Sequence, residues 1–200
     1  MAEPILFFFE FSSPYAYIAA NLIEPVAERH GREVRWLPVS LFHVWRAIGV
    51  SRDNLPRQKV EYMRRDWVRF AELEGVPITS PRTWPLDAKL ARLMFYRLAA
   101  TDEALARRFA LAVYHRYWGE GEDVAEPAHL AGICEGLRVR PAELDAALAD
   151  GEAKARLLAA GELAVGHGMF GAPWFVVDGE TFFGADRVVH IDRWLSRHRK

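Results

Sequence analysis

Two adjacent hydroxyls, Ser12 and Ser13, stand between an aromatic run and a proline in the stretch Phe7-Phe8-Phe9-Glu10-Phe11-Ser12-Ser13-Pro14-Tyr15-Ala16-Tyr17. Ser13 precedes Pro14, which suits Ser13 as a helix N-cap and Pro14 as the first helical residue. A hydroxyl at a helix N-terminus lies beside free N–H groups and the positive end of the helix dipole, a place that favours negative charge. The same residues also serve as a plain cap. The second stretch with chemical character is Gly168-Met169-Phe170-Gly171-Ala172-Pro173-Trp174-Phe175, where a proline directly precedes an apolar run. It reads either as a helix stop before a strand, or as a cis proline that presents the backbone of Ala172 to an extended peptide near Ser13; cis bonds make up about 5–6% of X-Pro bonds in folded proteins. The single cysteine, Cys134, shares an apolar helical face with Leu130, Ile133 and Leu137 and reads as a buried small hydrophobe. His43, His115, His167 and His190 have no ligand-like spacing with it or with paired carboxylates, so no metal is expected.

The elements that must position these residues follow from periodicity. Ile5–Glu10 reads as a buried strand, and Tyr15, Ile18, Ala19, Leu22, Ile23 and Val26 recur at helical spacing up to a C-cap at Gly31. Glu33–Pro38 alternates as a second strand, so the chain opens β-α-β with a parallel pair. From Ser40 to about Gly168 strand signals vanish. Helices are expected over 41–48, 57–74, 86–100, 102–118, 126–136, 141–149 and 152–166, with a proline-rich connector at 79–85. Tyr15 and Tyr17 read either as lining a site or, by preference for aromatic residues at the start of a packed helix, as core, and Arg64-Arg65-Asp66 with Arg69 reads as a helix face. Strand character returns at Trp174–Val177, Asp178-Gly179 signals a tight hairpin, Thr181–Phe183 is its partner, and a last helix starts at Asp186. Two separate ends of the chain must therefore build one sheet. The fold class is α/β: a thioredoxin-like β-α-β…β-β-α sheet formed by residues 1–39 and 169–200, with residues 40–168 as an all-helical insertion.

Composition bounds the rest. Two hundred residues, 51% of them apolar, suit a domain with a sizeable core. Basic and acidic residues balance at 26 against 27, which argues against nucleic acid or a membrane surface as partner. No segment has the length of a membrane span, no signal peptide is read, and one cysteine excludes an intramolecular disulfide; the expected location is the cytoplasm.

The run Phe9 to Tyr17 resembles the opening of 2-hydroxychromene-2-carboxylate isomerases and kappa-class glutathione transferases. So do Gly168 to Pro173, Val177-Asp178-Gly179 and Phe182-Phe183-Gly184-Ala185-Asp186-Arg187. Asn54-Leu55-Pro56, Lys59 and Gly75-Val76-Pro77 extend the resemblance over essentially the whole chain. Three departures fall where a second substrate would bind: Glu10 stands in place of the family's usual Asp, Leu41-Phe42 where a glycine is common, and Leu86-Asp87 after Trp84-Pro85 where Asn-Ser is common.

The resemblance implies glutathione as cofactor. Redox relatives carry a cysteine where this chain has Ser13, and disulfide exchange needs a protein thiolate; Ser13 would instead donate a hydrogen bond to the cofactor's thiolate. Ala172 with cis Pro173 would pair with the cysteinyl unit. Asp186 would meet the γ-glutamyl ammonium, Ala185 and Asp186 would offer N–H groups to its carboxylate, and Asn54 and Lys59 would lie near the thiol or the substrate carboxylate. The implied activity is glutathione-dependent isomerisation of a small aromatic carboxylate from aromatic-compound degradation, by thiolate addition to a conjugated carbon, bond rotation and elimination. A kappa-class-like transferase and a non-catalytic peptide-binding protein of the same fold are the alternatives. Relatives of this kind are often homodimers.

Overall fold

The computed structural model describes residues 3–51 and 56–198. β1 (Ile5–Phe9), α1 (Pro14–Arg29) and β2 (Val34–Pro38) open the chain. There follow α2 (Leu41–Ala47), α3 (Arg57–Leu73), α4 (Lys89–Ala99), α5 (Glu103–Tyr114) and a π-helical turn (His115–Gly119). Then come α6 (Pro127–Gly136), α7 (Ala142–Ala149) and α8 (Gly151–Gly166). β3 (Trp174–Val177), β4 (Glu180–Phe183), a 3-10 turn (Ala185–Arg187) and α9 (Val188–Arg197) close the chain. Among the described residues no strand lies between Pro38 and Trp174.

The four strands form one sheet in the order β2-β1-β3-β4, with β1 parallel to β2 and antiparallel to β3. β1 is central because it can be buried on both sides: Phe7, Phe8 and Phe9 are fully shielded. Side chains alternate along a strand. Phe7 and Phe9 share one face with Trp36, at ring separations of 5.0 and 5.5 Å, and the Trp36 indole donates to Glu24 of α1 at 2.7 Å. Phe8 points the other way, towards His167 at the end of α8. The β3–β4 hairpin turns on Asp178 (φ 51°) and Gly179 (φ 87°), and pairs Val177 with Glu180. Both central residues have the positive φ that matches a tight turn to the strand twist.

Three element boundaries differ from expectation by two residues or more. The α-helix expected to reach Trp118 ends at Tyr114, where the π-helical turn takes over. The helix expected from Leu86 starts at Lys89, where the Asp87 carboxylate accepts from the Lys89 N–H at 3.1 Å and so holds residues 87–89 in a turn ahead of the helix. The helix expected from Asp186 starts at Val188, because Ala185–Arg187 winds as a 3-10 turn.

Candidate active site

Ser13 leaves β1 in an extended conformation (φ −94°, ψ 115°) and caps α1, its Oγ accepting from the Ala16 N–H at 3.2 Å with Pro14 as first helical residue. The Ser13 hydroxyl donates to the carbonyl of Ala172 at 2.9 Å, and Ala172–Pro173 is a cis bond. The two stretches that carry the chemistry, 159 residues apart in sequence, therefore meet through one oxygen. Pro14 has no N–H and the Ala16 N–H is bound to Ser13, so the Tyr15 N–H is a helix-end donor without an intrahelical acceptor.

The loop that delivers Ser13 is pinned by aromatic donors from the helices. The Glu10 carbonyl accepts from Tyr114 Oη at 3.1 Å, the Phe11 carbonyl from Trp118 Nε1 at 3.0 Å, and the Ser12 carbonyl from Trp84 Nε1 at 2.8 Å. The Glu10 carbonyl also accepts from the Ser13 N–H at 2.9 Å, and the Phe11 and Ser12 carbonyls belong to the loop after β1, where no strand partner reaches them. The Glu10 side chain is buried and accepts from Arg92 at 2.7 and 3.0 Å and from the Leu41 N–H at 3.1 Å. The acid that replaces the family's Asp thus ties the end of β1 to the starts of α2 and α4. Opposite Ser13, Trp45 Nε1 donates to the Phe170 carbonyl at 2.8 Å. A Cβ on Gly171 would meet the Phe183 ring at 2.6 Å, so only glycine lets that ring close over the segment before Pro173.

Ser13 opens onto a mainly apolar cleft of about 1070 Å³ between α1, α2, α3, α4, α8 and the Phe170–Ala172 segment. Its size and lining are those of a small-molecule site. Of the residues the sequence singled out, Ser13, Ala172 and Lys59 line it. Pro173 is buried behind Ala172. Ala185 is buried in the 3-10 turn, which packs on α1, and Asp186 beside it is exposed and pairs with Arg187 at 3.2 Å. Ala185 and Asp186 are not part of the cleft wall. Asn54 lies outside the described residues. The departures from the family pattern, Leu41, Phe42, Leu86 and Asp87, are all in the wall.

Several residues have roles the sequence did not reveal. Tyr15, expected by preference in the core, is half-buried in the cleft and donates to Asp66 at 2.7 Å. Burial and this hydrogen bond raise the phenol's pKa, so Tyr15 stays neutral. Asp66, expected only as part of a helix face, also accepts from Tyr62 at 3.1 Å and Arg69 at 2.7 Å; burial raises its pKa, but these bonds outweigh it and hold the carboxyl below the usual range. His43 lines the cleft, its ring 3.2 Å from where a Cβ on Gly161 would stand. A sequence signal for this contact existed: a glycine within a helix is unfavourable and often marks a close approach. Cys134 is fully buried in α6, and burial pushes its thiol up to about 11. A second cavity, of about 240 Å³, opens beside β2, but its Arg107 and Arg156 are already paired with Glu24 and Glu152.

Residues 4–195 match the family model of the DSBA-like thioredoxin domain. The chain is 29% identical to a 2-hydroxychromene-2-carboxylate isomerase of Sphingobium xenophagum, over 98% of this chain and 99% of that one. It is 27% identical to a 2-hydroxychromene-2-carboxylate isomerase of Pseudomonas putida, over 96% of this chain and 93% of that one, and 27% identical to glutathione S-transferase kappa 2 of Caenorhabditis elegans, over 96% of this chain and 91% of that one. A solved 2-hydroxychromene-2-carboxylate isomerase superposes with a TM-score of 0.82 at 25% identity, covering 96% of this chain and 94% of that one.

Proposed function

We propose that this chain, which belongs to the DSBA-like thioredoxin domain family, is a glutathione-dependent isomerase of the 2-hydroxychromene-2-carboxylate type. One observation carries the reading: a serine, not a cysteine, occupies the helix N-terminus 2.9 Å from the residue before the cis proline, at the mouth of an apolar cleft. The protein's own thiol is shut away in α6 and held protonated, so any sulfur chemistry at Ser13 must use a thiol brought from outside. The site fits such a group. An extended peptide lying along Ala172 would have its side chain beside Ser13, because the two residues are in direct contact.

Glutathione would supply a thiolate that adds reversibly to a conjugated carbon. The chain's residues do the rest. The Ser13 hydroxyl is a rotor that can turn its proton from the Ala172 carbonyl to a sulfur at the end of α1. The Tyr15 N–H and the helix dipole favour negative charge at the same point. Lys59, in the first turn of α3, offers a positive charge to a substrate carboxylate, and the apolar wall excludes water from the reacting carbon. Tyr114, Trp118 and Trp84 hold the loop so that Ser13 does not wander, which is the positioning a reaction of this kind needs. Ala185 and Asp186 are retained as candidate contacts for the γ-glutamyl end of the cofactor, and Asn54 as a candidate near the thiol or the substrate carboxylate.

Two measurements test this. Glutathione titrated into the protein by calorimetry should bind, and its thiol, followed by thiolate absorbance, should ionise below the free value of about 8.5. An unshifted titration would remove the role given to Ser13 and α1. Isomerase turnover returns glutathione unchanged, whereas a kappa-type transferase would leave it on the product, so mass analysis of the products separates the two.

A further inference from the structure

The chain has 26 basic residues, and only four of them are lysine: Lys59, Lys89, Lys154 and Lys200. Three of these four line the one cleft that opens at Ser13. None of the three is in an ion pair among the described residues. Arginine carries the ion pairs that hold the fold, such as Arg92 with Glu10 and Arg97 with Glu143 and Asp150.

Their places in the helices are unfavourable for stability. Lys89 is the first residue of α4, Lys59 lies in the first turn of α3, and Lys154 in the first turn of α8. A positive charge there opposes the positive end of the helix dipole, which the fold would avoid by placing it in a last turn. Three helix starts, each with a lysine, converge on one apolar cleft. Two acids of the wall face them: Glu10, neutralised by Arg92, and Asp87, whose carboxylate accepts from the Lys89 N–H. The result is a cleft with excess positive charge at its edges and apolar surface between.

Lys59 comes from α3, whereas Lys89 and Lys154 come from α4 and α8, which pack on each other. On α8, Lys154 shares one face with Leu157, Leu158 and Gly161, all of them in the wall. That face offers apolar surface to a ring and a cation at the end of it.

We propose that Lys89 and Lys154 form a second anion subsite, separate from Lys59, and that the acceptor this cleft selects is an aromatic dianion, a ring system with an acid group at each end. The inference rests on reading the cleft as the acceptor site, and it names the class of substrate that site takes. Lysine suits the task because its ammonium is a compact, mobile donor that can follow acid groups of different geometry, where arginine would impose a planar fork.

The test uses the full chain and two probes, 2-naphthoate and naphthalene-2,6-dicarboxylate, with binding measured by calorimetry with and without glutathione. The dicarboxylate should bind the wild type about tenfold more tightly than the monoacid, with the advantage shrinking as salt is raised. Lys89→Gln/Lys154→Gln should abolish that advantage, leave 2-naphthoate unchanged and leave glutathione unchanged. The double variant removes two cations from helix N-termini, so its melting temperature should hold or rise, which separates lost binding from lost folding. Equal loss for both probes, no loss for either, or weakened glutathione binding would overturn the subsite; the last would assign the lysines to the tripeptide's own carboxylates. If glutathione does not bind but the lysine-dependent preference for the dicarboxylate persists, the isomerase reading fails and the subsite stands.

Discussion

Replacing Ser13 by alanine removes one oxygen that serves two partners, and the two losses can be measured apart. As a cap, Ser13 accepts from the Ala16 N–H at 3.2 Å, towards the long end of the range for such a bond. As a donor, it satisfies the Ala172 carbonyl at 2.9 Å. Ser13→Ala should therefore cost about 1–2 kcal/mol of stability, visible in denaturant unfolding. If capping were its whole role, the folded variant would turn over normally. If the hydroxyl also donates to a thiolate, the variant loses a hydrogen bond to a charged group, worth about 1.5–3 kcal/mol, or about one to two powers of ten in kcat. The KM for glutathione should change little, since Ala172 and its neighbours are untouched. Ser13→Cys approaches the point from the other side: it restores the redox relatives' residue and should favour a mixed disulfide with glutathione over isomerisation. Ser12→Ala is the milder control. The Ser12 carbonyl, not its hydroxyl, carries the bond to Trp84, although its side chain does border the cleft. Full turnover by Ser13→Ala, on a substrate the wild type isomerises with glutathione, would refute the reasoning.

Two further outcomes test the support around the site. Arg92→Met leaves the Glu10 carboxylate buried without its cation and should cost about 3–5 kcal/mol in denaturant unfolding, whereas Glu10→Gln/Arg92→Met should cost clearly less, because no charge is stranded; equal losses would show that packing, not the ion pair, matters at this position. Asp66 has its folded-state pKa lowered, so its contribution to stability is present above the unfolded value of about 3.9 and is lost as pH falls through the folded value. The stability difference between wild type and Asp66→Asn should accordingly be constant near neutrality and shrink below about pH 4; a difference that ignores pH would mean that Asp66 does not act as a carboxylate.

What the sequence made legible was local. The N-cap at Ser13, the Asp178-Gly179 turn and the buried aromatic strand each follow from a few neighbouring residues, and each is present. The pins on the Ser13 loop were not legible, because an indole or phenol gives no sign of which carbonyl it will reach. Trp84, Tyr114 and Trp118 find theirs 72, 104 and 107 residues away. The π-helical turn at His115–Gly119 follows Tyr114 and contains Trp118, and a periodicity fitted to 3.6 residues passes over it. Tyr15 and Asp66 misled for the same reason: an aromatic residue at a helix start and an acid in a charged tract both have a sufficient local explanation, and only the packing of α3 against α1 joins them.

The lysines show how a nonlocal site can still leave a local trace. Taken singly, a lysine on a helix has the solvated face as its default explanation, and Lys59 entered the argument only through its resemblance to a family position. Yet Lys59, Lys89 and Lys154 all fall within the first four residues of the helices expected from periodicity, where dipole and cation repel. All but four of the chain's basic residues are arginine, and three of the four lysines line this cleft. A residue type that is rare in a chain and repeatedly placed where it weakens its own element needs a cause outside that element. The fold provides it by bringing three helix starts to one cleft, where the same charges that cost helix stability become attractive to an anion.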